Sequence, residues 1–278
     1  MRLLHPTDFS QTSQAALLVA QDLHAKLGGS LHVVHVQQRY ESASARSSRP
    51  HLDSLNPQLT QRHEEERGEE VRRLREMLTH LASPDGTTEL RWGEPLRELL
   101  DMQDSYDLVV MGAHGANRLD AFFLGGVAGR FVRRSRVPVV TVREESTTKE
   151  VKRVLVATDF GDASASALEF ARKLHASGIK VMLCHVIDDV RVQEDPTYIH
   201  TATDALDLAS KGMAERLLIR EGDPATVLPA VAREVSADMI VIGLRHHRAA
   251  VGLLFGSRAD ALIRSSPVPV LSVPHVTG

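Results

Sequence analysis

Two stretches of this chain carry glycines at spacings that suit an anion. GAHGANRLDAFFLGGVAG begins at Gly112, and GLRHHRAAVGLLFGSRAD begins at Gly243. In the first, Gly112 is followed by two residues and Gly115, then by nine residues and the pair Gly125-Gly126. Glycine has no Cβ, so it permits positive φ and a close approach of backbone N–H groups to a ligand. A glycine pair just ahead of a helix presents free N–H groups and the positive end of the helix dipole. Such groups cradle phosphate oxygens without a lysine. Asp8 and Asp159 close two matching segments, RLLHPTD and RVLVATD. Their carboxylates are placed to accept hydrogen bonds from a sugar or a base edge.

The elements that must position these residues occur twice. RLLHPTDF at Arg2 recurs as RVLVATDF at Arg153, and SYDLVVMG at Ser105 recurs as SADMIVIG at Ser236. From Ser105 to Val142 the first copy aligns without a gap to Ser236–Val273, so SRVPVVTV matches SPVPVLSV. Each copy reads as five strands alternating with four helices. That pattern predicts an α/β fold of two tandem domains. Each domain is a mainly parallel five-stranded, Rossmann-like sheet with helices on both faces. The domains are expected at 1–146 and 147–278, joined near REESTTKE, with a polar surface insertion at about 38–67 in the first. HEEERGEEVRRLREMLTHL reads as a charged surface helix with Val71, Leu74, Leu78 and Leu81 on one face. In sheets of this kind ligands sit outside the carboxyl ends of the strands, where strand order reverses. Asp8, Asp159, Gly112 and Gly243 all fall at such ends.

Composition narrows the function. Among 278 residues, 36 are acidic and 33 basic, a formal charge of −3, which gives no electrostatic case for nucleic acid or a membrane surface. The single cysteine, Cys184, excludes an intrachain disulfide and reads as a packed, inert thiol. MRLLHPTDF lacks a signal-peptide core, and no apolar run approaches the ~20 residues that cross a bilayer, so a cytoplasmic location is expected. His246 and His247 beside Arg248 read as solvated loop residues rather than metal ligands. There is no Walker lysine motif, nucleophile elbow or paired catalytic carboxylate, which argues against a fast ATPase or a kinase.

Taken together, the duplicated aspartate, glycine loop and VPV strand resemble the universal stress protein family, in tandem, over nearly the whole chain. The family fingerprint is Gly-x2-Gly-x9-Gly-Ser/Thr, with an aspartate ending the first strand. The resemblance implies an adenine-nucleotide-binding fold, with ATP as a possible ligand and Mg as its possible companion. Carried over residue by residue, it implies a first site at Pro6, Thr7, Asp8, Val36, Met111, Gly112, Gly115, Gly125, Gly126 and Val127. Gly126 stands where the family has a hydroxyl, a loss of ~1 kcal/mol net. A weaker second site is implied at Ala157, Thr158, Asp159, Val186, Ile242, Gly243, Arg245, His246, Gly256 and Ser257. There His246 replaces the second glycine and fills the loop, although Arg245, His246, His247 and Arg248 also offer phosphate donors. Losing a hydroxyl hurts less than filling the loop, so the first copy is favoured.

Three functions remain open: a stress-response or regulatory protein that binds adenine nucleotide without fast catalysis, an interaction module that has lost its ligand, and a slow nucleotide hydrolase. The VPV strands read as sheet edges, because proline cannot donate to a ladder. The resemblance implies that such edges pair, in an intrachain pseudo-dimer or a homodimer.

Overall fold

The computed structural model describes residues 1–38, 57–82, 85–114, 126–189, 192, 195–245, 247–249, 252–254 and 257–275, with backbone alone for 57–64, 247–249, 252–254 and 257. The first half runs β1 (Arg2–Pro6), α1 (Gln11–Leu27), β2 (Ser30–Gln37), α2 (Pro57–Leu81), β3 (Thr87–Trp92), α3 (Pro95–Met102), β4 (Leu108–Gly112), α4 (Gly126–Arg134) and β5 (Val139–Val142). The second half runs β6 (Arg153–Ala157), α5 (Asp162–Ala176), β7 (Lys180–Ile187), α6 (Pro196–Ser210), β8 (Ala214–Glu221), α7 (Pro224–Glu234) and β9 (Met239–Arg245). A short hairpin, β10 (His247–Ala249) and β11 (Gly252–Leu254), comes next, followed by α8 (Ser257–Ser265) and β12 (Val270–His275).

The expected α/β architecture is present, with one enlargement. The ten main strands form a single sheet in the order β3-β2-β1-β4-β5-β12-β9-β6-β7-β8. Pairing within each half is parallel, as right-handed crossovers require. The halves meet where β12 pairs antiparallel with β5, Leu271 opposite Val140. The two VPV strands therefore lie at the centre of the whole sheet. Strand order reverses between β1 and β4, and again between β6 and β9. Each reversal opens a crevice at the carboxyl ends of those strands.

Side chains alternate to the two faces of the sheet, and two apolar layers result. One holds Leu3, Val33 and Val110 under α1, α2, α5 and α6; the other holds Leu4, Val109 and Phe131 under α3, α4, α7 and α8. Both layers run through both halves. Helix starts follow local chemistry. WGEP at Trp92 and the matching EGDP at Glu221 form turns that supply N-caps: Glu94 accepts from the Arg97 N–H and Asp223 from the Ala225 N–H, each with proline in the first turn. Ser10 caps α1 by accepting from the Ser13 N–H.

The polar insertion expected over 38–67 needs correction at its end. Residues 57–67 belong to α2, which starts at Pro57, six residues before the charged stretch that announced it. Proline suits a first helical turn, and the Gln, Leu, Arg and Glu that follow are good helix formers. Residues 39–56 lie outside the described part. The helix docks through Leu78, which is buried.

Candidate functional site

Crevice geometry begins at the β1–α1 elbow. Phe9, directly after Asp8, holds φ 62, a left-handed conformation that a bulky residue rarely takes. Local bonds enforce it. The Phe9 N–H donates to Thr7 Oγ1 at 3.0 Å, Thr7 Oγ1 meets Ser13 Oγ at 3.0 Å, and the Phe9 ring packs 4.7 Å from His35. His35 in turn donates from Nδ1 to the Thr7 carbonyl at 2.8 Å. The elbow turns Asp8 to the mouth of the crevice, where Oδ1 accepts from the Ser10 N–H at 3.1 Å and from Ser10 Oγ at 2.6 Å.

Above this elbow lies a cavity of about 510 Å³. Pro6, Thr7 and Asp8 border it from β1, Val36 from β2, Met111 and Gly112 from β4, and Gly126 and Val127 from the start of α4. Eight residues expected from sequence thus surround one space, while Gly115 and Gly125 lie outside the described residues. Sequence reading missed others on the same wall. Gln37, His114 and Arg130 add polar atoms beside His35, and Leu99 adds apolar surface. The WGEP turn that aims α3 at the crevice was a usable signal for Leu99. Arg130, one helical turn after Gly126, was another.

Gly112 and Gly243 also serve the packing of helix on sheet. Neither is among the described glycines with positive φ. Each lets its strand touch the first turn of an earlier helix, α1 for Gly112 and α5 for Gly243. A Cβ on Gly112 would sit 3.0 Å from Thr12 Cγ2 and 3.2 Å from the Ser13 nitrogen. On Gly243 it would sit 2.0 Å from the Ala163 carbonyl oxygen. Close approach is real, but the approaching group is a helix.

The second crevice repeats the elbow and adds an ion pair at its aspartate. Phe160 holds φ 60, its N–H donates to Thr158 Oγ1 at 3.0 Å, and its ring packs 4.6 Å from His185. Asp159 Oδ1 accepts from the Gly161 N–H at 2.9 Å and Ser164 Oγ at 2.8 Å, while Oδ2 lies 3.3 Å from Arg245 Nη2. Burial of Asp159 raises its pKa, but those hydrogen bonds and the Arg245 charge outweigh it and hold the carboxyl below its ordinary range. A Cβ on Gly161 would lie 2.1 Å from Arg245 Nη2, so the guanidinium rests directly on this glycine. Repeat 1 has Ser10 there. Arg258 of α8 further pairs with Asp188 and Asp223 across the mouth. Ala157 ends β6, Thr158 follows it and Val186 is next to last in β7, but Gly243, expected at a strand end, lies inside β9 with Ile242, because β9 runs on to Arg245. His246 and Gly256 lie outside the described residues, and Ser257 opens α8.

Neither the histidines nor the cysteine suggests other chemistry. Cys184 is buried, and burial pushes its thiol up to about 12, so it stays protonated. Among the described residues no three His, Cys, Asp or Glu side chains group as a metal site, and no helix is long and apolar enough to cross a membrane.

Comparison with known proteins agrees with this architecture. The model of the universal stress protein family matches twice, over residues 1–143 and 150–274. The chain belongs to the universal stress protein family. A universal stress protein of Mycobacterium tuberculosis H37Rv is 27% identical over 201 residues, 66% of this chain and 67% of that protein. A second from the same strain is 28% identical over 192 residues, 62% of this chain and 63% of its own length. Among solved structures, a universal stress protein from Archaeoglobus fulgidus superposes with TM-score 0.72 at 24% identity, covering 99% of this chain and 98% of its own. A universal stress protein in complex with cAMP is 27% identical, covering 45% of this chain and 98% of its own, with TM-score 0.36.

Proposed function

We propose that the first repeat of this universal stress protein binds ATP or a closely related adenine nucleotide, and that the chain acts in a cytoplasmic stress response by binding rather than by fast chemistry. The observation that carries this reading is the cavity of about 510 Å³ at the first strand-order reversal. Its size falls within the roughly 300–1,000 Å³ of small-ligand sites, and it combines an apolar wall with a few convergent polar groups. Val36, Met111, Leu99 and Val127 form the wall for a base. Asp8 borders the cavity, where its carboxylate would accept a ribose hydroxyl. The start of α4 offers N–H groups and the positive dipole end to phosphate. Mg would enter with the nucleotide, as the counter-ion of its phosphates.

The second repeat favours the other reading. Arg245 already satisfies the carboxylate that a ligand hydroxyl would approach. This half therefore acts as a fold-retaining interaction module, and one nucleotide binds per chain. Thermal unfolding with and without ATP is the test. A ligand that binds only the folded state adds RT ln(1 + [L]/Kd), about 2.7 kcal/mol at a hundredfold excess over Kd. A raised midpoint together with a calorimetric stoichiometry near one is expected. No midpoint shift and no heat of binding would leave the interaction module as the function of both halves.

A further inference from the structure

The family's terminal Ser/Thr is Gly126 in the first repeat, yet the space beside it is not left to solvent. Arg130 lies one turn further along α4, on the same face. Its Nε donates to the Gly126 carbonyl at 2.5 Å, which folds the side chain back towards the start of the helix. A Cβ built on Gly126 meets one neighbour within 4 Å, the Arg130 Nη2 at 3.9 Å. The guanidinium therefore stands where a side chain at 126 would point, and Arg130 borders the cavity. Among the described residues no carboxylate forms an ion pair with it. Arg133, on the next turn, is by contrast held by Asp260 at 2.8 Å.

The duplicated chain supplies an internal control. In the gap-free alignment, Gly126 and Arg130 correspond to Ser257 and Ala261. Where the hydroxyl is kept, the arginine is missing; where the hydroxyl is lost, an arginine reaches over the vacated position. A serine hydroxyl offers one neutral donor. A guanidinium offers a full charge and a planar fork that matches two phosphate oxygens, and its bonds are about twice as strong.

We propose that Arg130 is the phosphate-binding side chain of the first cavity, standing in for the absent hydroxyl and making affinity depend on the number of phosphate charges. The proposal rests on the nucleotide reading above. It predicts discrimination by charge, ATP over ADP over AMP over adenosine, with most of the spread due to one residue.

Titration calorimetry with these four ligands tests it, on the wild type, Arg130→Gln and Gly126→Ser/Arg130→Gln. Arg130 is exposed, so the variants should fold, which circular dichroism checks. In Arg130→Gln, ATP affinity should fall on the order of tenfold or more while adenosine affinity stays level, and the salt dependence of ATP binding should flatten. The double variant should recover part of the ATP affinity through the restored hydroxyl. Equal losses for ATP and adenosine, or no loss for either, would overturn the role of Arg130 while leaving nucleotide binding intact. A wild type that binds none of the four ligands would overturn both.

Discussion

His5 shows how one residue can make a repeat asymmetric. It occupies β1 at the position of Val156 in β6, and it is fully buried. Nδ1 meets the Val110 carbonyl at 2.8 Å, while Nε2 is buried with no hydrogen-bond partner. Burial dominates its titration and lowers the pKa from 6.5 to about 4, against the opposing pull of the Val110 bond and the Asp8 charge. Unfolded, the imidazole takes its proton near pH 6.5; folded, it resists until about pH 4. The unfolded chain thus binds the extra proton in that window. The contribution is whole above pH 6.5 and is lost as pH falls towards 4, on the order of 3 kcal/mol. His5→Val should remove this loss. Denaturant melts from pH 7.5 to 4.5 are expected to show the variant gaining on the wild type as pH falls. Parallel curves would mean that His5 does not titrate in this way.

At the level of elements, Gly112 of β4 and Gly243 of β9 set how near helix and sheet can come. Both were legible in the sequence as special positions, and Gly112 borders the first crevice. Their packing partner was not, because strand and helix are joined through other elements and their separation is a tertiary quantity. The added Cβ distances predict unequal costs. Gly243→Ala drives a carbon to 2.0 Å from a backbone oxygen, so α5 must move. Gly112→Ala meets its nearest atom at 3.0 Å, the end of the Thr12 side chain. Overpacking typically costs about 1–3 kcal/mol and occasionally more. Urea melts should place Gly112→Ala near the low end and Gly243→Ala at or beyond the high end. Equal midpoints would refute this reading.

Across the whole molecule, the halves share one sheet and two continuous apolar layers. Polar contacts fasten the seam. Asp22 of α1 accepts from the Val151 N–H at 2.8 Å and from Lys26, and Lys26 reaches the Val151 carbonyl at 2.9 Å. Val151 itself is fully buried. Arg133 pairs with Asp260 on the other face. Cutting the chain would strip β5 of its β12 partner and expose a buried VVTV edge. An unpaired apolar edge is a template for another strand. Residues 1–146 alone are therefore expected to form a dimer through β5, read by sedimentation velocity, whereas a folded monomer would count against edge pairing as the source of the inter-repeat contact.

By itself, the sequence determined the duplication and the alternation of strands and helices, while the residues expected around the first crevice came from the family resemblance. The duplication and the alternation are legible in repeated segments and in apolar periodicity. Only the tertiary structure decided what fills each crevice. Arg245 lies on Gly161 and Arg130 folds over Gly126 because elements distant in the chain, or one turn apart on a helix, are brought to the same point. Letter by letter, repeat 2 retains the serine of the fingerprint and repeat 1 lacks it. In space, the aspartate of repeat 2 pairs with Arg245, and repeat 1 has a cavity with an arginine at its rim. The reason is physical: a motif records which backbone groups are available, whereas side chains arriving from elsewhere decide whether those groups still face open space.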